Sequence, residues 1–77
     1  MASEMVTSDI GLASALTAAG LELNEVYFED KRAFFGFLDR EKYVVLENMY
    51  FQNRLYVNAQ AYHDNFRRLM ARAKSGY

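Results

Sequence analysis

The chain predicts an α+β domain, a small antiparallel hairpin or sheet with helices packed on it, in the order α-β-β-α-α. Three features of the 77 residues point there. Apolar residues keep helical spacing in TSDIGLASALTAAG, change to a period of two across LELNEVYF and AFFGFL, and return to helical spacing over NAQAYHDNFRRLMARAKSG. The two period-two runs flank the polar turn EDKR, which is the mark of a hairpin. Strands that come together and are then followed by helices fit one antiparallel sheet with helices gathered on it.

Residues 1–6 read as a flexible tail and 7–77 as a single domain. A first helix is expected to start at Thr7 or Ser8 with Asp9 in its first turn, where an acid suits the unpaired amides and the helix dipole. Its apolar stripe runs through Ile10, Ala13, Leu16 and Ala19, and Gly20 stands where a left-handed cap ends a helix. In the first strand Leu21 and Leu23 share a face, while Val26 and Phe28 have the opposite parity. That switch predicts a bulge at Asn24-Glu25. The second strand covers 33–38, with Ala33, Phe35 and Phe37 on one face and Phe34 and Leu38 on the other. The hairpin is therefore apolar on both sides, whereas a surface sheet normally has one polar face. Helices of the same chain can cover one face, and a second copy is the simplest cover for the other, or for the free edge.

Asp39 is a candidate cap for the next segment. There YVVL alone reads equally well as a third strand, but Val45, Met49 and Gln52, with Leu46 and Tyr50, fall at helical spacing, and helix is the favoured reading. Within this segment, ENMYFQN (Glu47 to Asn53) differs at one residue from the site of a viral protease used to remove purification tags. It lies in mid-chain with no His-rich run before it. It is read as native and as a helix end, with Met49, Tyr50 or Phe51 packed inward. Asn58 is the expected cap of the last helix, in which Ala59, Tyr62, Phe66, Leu69, Met70 and Ala73 recur every three or four residues.

So short a chain buries only about 60–65% of its unfolded surface. Without cysteine it has neither a disulfide framework nor a thiolate metal site, so its core is hydrophobic or shared with a partner. No apolar run approaches the ~20 residues of a membrane span. The opening MASEMVTSD lacks the basic and apolar regions of a signal peptide, so a cytoplasmic protein with no membrane partner is expected. The net charge of -1 conceals an asymmetry: residues 1–39 carry seven acids and two bases, residues 40–77 seven bases and three acids. All twelve aromatic residues lie from Tyr27 onward, leaving the N-terminal segment as a small-residue surface for the others to pack on.

Taken together, the TSD start with a helix closing at AAG, the hairpin ending in FFGFLD and the C-terminal YVNAQAYHDNFRRLMARAK resemble a family of small uncharacterised domains of bacteria, archaea and their phages. The likeness covers about residues 7–74. The family brings no activity to carry over. It implies a setting, that of a phage or mobile-element accessory protein in a prokaryotic host cell.

Little in the chain points to catalysis. His63 is the only histidine, and Asp64 beside it on a helix does not face it. The carboxylates Glu29-Asp30 and Glu22/Glu25 read as solvated surface, and the four glycines are too scattered to cradle a phosphate. No enzyme and no cofactor are expected. The first reading is a protein-interaction module, forming a homodimer or larger and able to modulate a host or defence protein, with Tyr27, Phe34, Phe35, Phe37, Tyr50 and Phe51 as contact residues. The second is a small nucleic-acid binder whose Arg67, Arg68, Arg72 and Lys74 contact phosphates; the same four would serve an acidic protein partner. The acidic pI of 5.7 weighs against nucleic acid. Stacking of bases on Phe34, Phe35 and Phe37 competes with a plain core role, which is the stronger reading.

Overall fold

The computed structural model describes residues 4–75 of the chain. Their elements are β1 (Met5–Thr7), α1 (Ile10–Ala18), β2 (Leu23–Glu29), β3 (Arg32–Phe37), α2 (Arg40–Phe51) and α3 (Ala59–Ser75). The α+β class holds, and the segment after Asp39 is a helix. One expectation is corrected. Met5 and Val6, assigned to a flexible tail, belong to a strand that pairs antiparallel with β3, with Met5 opposite Phe37 and Thr7 opposite Phe35. Three residues are too few to show a period, and the strand exists because β3 offers it a free ladder. Positions 1–3 of the expected tail lie outside the described residues. The element order is thus β-α-β-β-α-α, and β3 is the centre of a sheet ordered β1-β3-β2.

The hairpin follows its local chemistry. Asp30 and Lys31 take φ of 51° and 65°, two left-handed residues in a two-residue turn that matches the twist of its strands. The ladder shifts between Leu23 and Glu25, so the extra residue is Asn24, where the parity switch predicted a bulge. This shift brings Leu23 and Val26 onto one face, opposite Phe37 and Phe35.

α1 begins later than expected. Thr7 is still in β1, and Asp9 is the cap itself, accepting from the Leu12 amide at 3.1 Å. Residues Leu12 to Leu16 are all buried, so α1 is enclosed on more than the single stripe expected. Small side chains make this feasible, and Ser14 satisfies its hydroxyl on the Ile10 carbonyl at 2.7 Å. The helix closes at Gly20, φ 99°, with the Leu21 amide bonded to the Leu16 carbonyl at 3.0 Å and the Gly20 amide to Thr17 at 3.1 Å, the 6→1 and 5→2 pattern of a left-handed cap.

α2 ends in the same way with asparagine in place of glycine. Asn53 has φ 58°, and the Arg54 amide reaches the Met49 carbonyl at 2.8 Å. Asp39 caps its start through the Lys42 amide at 3.1 Å, and Asn58 caps α3 through the Ala61 amide at 2.9 Å. α2 packs with Tyr43, Leu46 and Tyr50 rather than with the Val45-Met49-Gln52 line, which leaves Val45 exposed. One core joins Leu12, Ala13 and Leu16 of α1, Val26, Ala33, Phe35 and Phe37 of the sheet, Tyr43 of α2, and Leu69 and Ala73 of α3. The Phe37 and Tyr43 rings meet with centroids 5.7 Å apart.

Candidate interaction surface

The register of the sheet divides the aromatic residues of the hairpin into two groups. Phe35 and Phe37 point into the core at 1% and 0% exposure, so no partner can touch them while the chain is folded, and their assignment as contact residues is corrected. Alternation in β3 sends Phe34 the other way, opposite Tyr27 on the second face. That face also carries Val6 and Glu25, which flank Gly36 from either side. The helices share their core with the residues of the first face, and among the described residues no helix lies over the second. Tyr27 is 38% exposed, Val6 is exposed and Phe34 half-buried.

The rim of this face is acidic. Glu25 and Glu29 lie on β2, Glu4 just before β1 and Asp30 in the turn, against Lys31 and Arg32. Glu29, Asp30 and Arg32 surround Phe34 in a shallow depression of about 370 Å³. Glu4 crosses the sheet over Gly36, where its carboxylate accepts from the Tyr27 hydroxyl and from Asn24 Nδ2, the latter at 2.8 Å. A methyl group at position 36 would run into that carboxylate. The Tyr27 and Asn24 bonds hold the Glu4 carboxyl below its ordinary pKa, and the Glu4 bond pushes the Tyr27 phenol up. Sequence reasoning missed this clasp, because Glu4 lay in the presumed tail and the bonds span 20 and 23 residues.

Other predicted residues fall elsewhere. Tyr50 is half-buried, and its hydroxyl, the Tyr62 hydroxyl and the Asp9 carboxylate all lie close to Gly11, where an added methyl would be 3.2, 3.5 and 3.3 Å from them. Gly11 is therefore the space that lets α2 and α3 grip the start of α1. Burial, then Asp9 and Tyr62, raise the Tyr50 pKa. Tyr50 is thus a packing residue, and its neighbour Phe51, turned edge-on to it with centroids 5.2 Å apart, is 64% exposed. Tyr56, which no reading singled out, is 89% exposed in the loop before α3.

The four bases of α3 are all exposed, but on two different edges of the helix. Arg67 and Lys74 flank a shallow apolar groove formed by Phe66, Met70 and Ala71. Arg68 and Arg72 border a separate groove with Thr17, Leu23, Asn65 and Leu69. His63 is exposed on α3. Among the described residues no three or more His, Cys, Asp or Glu side chains are grouped so as to hold a metal ion, and no helix is long and apolar enough to cross a membrane. A cleft of about 410 Å³ lies between Gly20–Asn24 and Leu38–Lys42, and its Asp39 is already occupied as the α2 cap.

No curated protein and no solved structure matches the chain. Residues 2–75 match the family described as "Domain of unknown function (DUF5659)", in keeping with the resemblance carried by the Thr-x-Asp start, the F-x-F strand and the basic final helix. The chain belongs to that family of small domains, DUF5659.

Proposed function

We propose that this protein is a non-enzymatic interaction module that associates with itself through the sheet face opposite its helices. The supporting observation is the placement of Val6, Tyr27 and Phe34 together on that face with no helix over them. Val6, Tyr27 and Phe34 left in water on a sheet of only three strands forgo burial that would help repay its ordering, and a second subunit supplies that burial. Phe51 and Tyr56 extend the exposed apolar surface on the helical side, where a further protein partner could bind. The setting, an accessory protein of a phage or mobile element acting on a host or defence protein in the prokaryotic cytoplasm, rests on the sequence resemblance alone.

Sedimentation velocity over a concentration series tests this. A dimer or larger species is expected, and Phe34→Lys should shift it to monomer with an unchanged far-UV circular dichroism spectrum. A wild-type monomer at every concentration overturns the reading.

A second reading, nucleic-acid binding by α3, is favoured by the exposure of Arg67, Arg68, Arg72 and Lys74. Titration of labelled DNA and RNA at two salt concentrations checks it. Binding that weakens with salt and disappears on Arg68→Glu/Arg72→Glu is required, since phosphate contacts release counterions.

A further inference from the structure

We infer that self-association is head-to-tail, with the Phe66/Met70 ridge of α3 and its flanking Arg67 and Lys74 seated on the Tyr27/Phe34 sheet face of the next copy. This inference rests on the self-association just proposed and adds which surface meets which.

Two patches of this chain carry complementary chemistry. The sheet face carries Val6, Tyr27 and Phe34 with the Glu4 carboxylate laid across Gly36 among them, and its acids Glu4, Glu25, Glu29 and Asp30 outnumber Lys31 and Arg32. The α3 ridge is apolar along Phe66 and Met70, and its bordering charges, Arg67 and Lys74, are both positive. Opposite potentials on two surfaces that also expose apolar side chains steer encounter and fix register. The face is long enough to hold the ridge: from Phe66 to Lys74 the helix rises about 12 Å, while β2 runs about 20 Å along the face.

The symmetric alternatives meet like charge. Two sheet faces pressed together bring both sets of Glu4, Glu25, Glu29 and Asp30 into one interface. Pairing two β2 edges antiparallel about Tyr27 sets Glu25 directly opposite the Glu29 of the other copy, a destabilising arrangement. Like charge opposed in this way rejects a partner, and acidic side chains on an edge strand are a common means of blocking edge-to-edge pairing. An interface made of two different patches leaves one of each unsatisfied at the ends, so it continues to a ring or a filament.

Complementation between two defective variants tests the direction of assembly. Arg67→Glu/Lys74→Glu retains the sheet face and loses the ridge. Glu25→Lys/Glu29→Lys retains the ridge and loses the face. All four positions are exposed, and far-UV circular dichroism checks that each variant is folded. The expected result is that wild type forms species beyond the dimer that shrink with added salt, that each variant alone is a monomer because its two patches now carry like charge, and that their equimolar mixture assembles again, since native ridge meets native face and the two reversed patches are once more opposite in charge. The inference falls, and self-association stands, if wild type assembles and Phe34→Lys disperses it while the mixture stays monomeric or Arg67→Glu/Lys74→Glu assembles normally. A monomeric wild type, including one that binds duplex DNA through Arg67 and Lys74, overturns both.

Discussion

Neighbouring phenylalanines in one strand should respond in opposite ways to the same truncation. Phe35 is 1% exposed, paired with Thr7 and Val26 at the middle of the sheet, and walled in by α1. Phe35→Ala removes a buried ring and leaves a cavity, at a cost of about 3–5 kcal/mol. A chain of this size has roughly 4–11 kcal/mol in total, so the loss takes from about a quarter of that stability to all of it. Phe34→Ala removes a ring that is partly in water already and opens no cavity, so about 1 kcal/mol is expected. Urea denaturation followed by far-UV circular dichroism reads both. At a slope of about 1 kcal/mol per molar, the Phe35 variant should move the midpoint by about 3–5 M and the Phe34 variant by about 1 M. Dilute protein is needed, because association stabilises the native state by mass action and would add to the apparent cost at Phe34. Repeating the Phe34 titration at high concentration should widen the gap to wild type, while the Phe35 loss stays constant. Equal losses at the two positions, or a Phe35 loss under about 1 kcal/mol, would refute the division of the sheet into an enclosed and an open face.

Three more outcomes follow from local geometry. ENMYFQN forms the end of α2 and its left-handed cap at Asn53, so the protease that reads an extended form of this sequence should cut the denatured chain after Gln52 and leave the folded one intact; rapid cleavage of native protein contradicts the helix. Gly20→Ala places a Cβ on a residue with φ 99° and should cost about 1 kcal/mol, whereas Asn53→Gly, at φ 58°, should be neutral or slightly stabilising, both measured by thermal denaturation. Stability should fall at both ends of the pH scale. The Glu4 carboxyl, lowered by its bonds to Tyr27 and Asn24, contributes above its usual value of 4.5, and that contribution is lost as pH falls through its folded value. The Tyr43 phenol, raised chiefly by burial and then by Glu47, leaves stability intact below its usual value of 10 and draws it down as pH rises toward the folded value. Glu4→Gln should flatten the acid limb and Tyr43→Phe the alkaline one, read as melting temperature against pH.

Much of the fold is legible in the chain because its signals are short-range. The Asp39 and Asn58 caps, Gly20 as a left-handed stop, the EDKR turn, the Asn24 bulge and the amphipathic α3 each depend on a few adjacent residues. Alternation in β3 likewise separated Phe34 from Phe35 and Phe37, although it could not say which side the helices would take. The candidate site was only half legible for that reason. Of its proposed contacts, Tyr27 and Phe34 lie on the open face while Phe35 and Phe37 are buried, and it grouped four bases that α3 divides between two edges.

By itself, then, the sequence determined which segments turn, coil and extend, because capping, left-handed φ and periodicity are properties of neighbours along the chain. Tertiary structure alone decided that Met5–Thr7 becomes a strand, that Glu4 crosses Gly36 to reach Tyr27 and Asn24, and that the helices cover the Phe35/Phe37 face and leave the Tyr27/Phe34 face open. The strand pairing and the Glu4 clasp join residues 20 or more positions apart, and the choice of covered face rests on all three helices packing at once. Their free energy comes from ladders and burial that exist only once the whole chain has folded, and no local pattern records them.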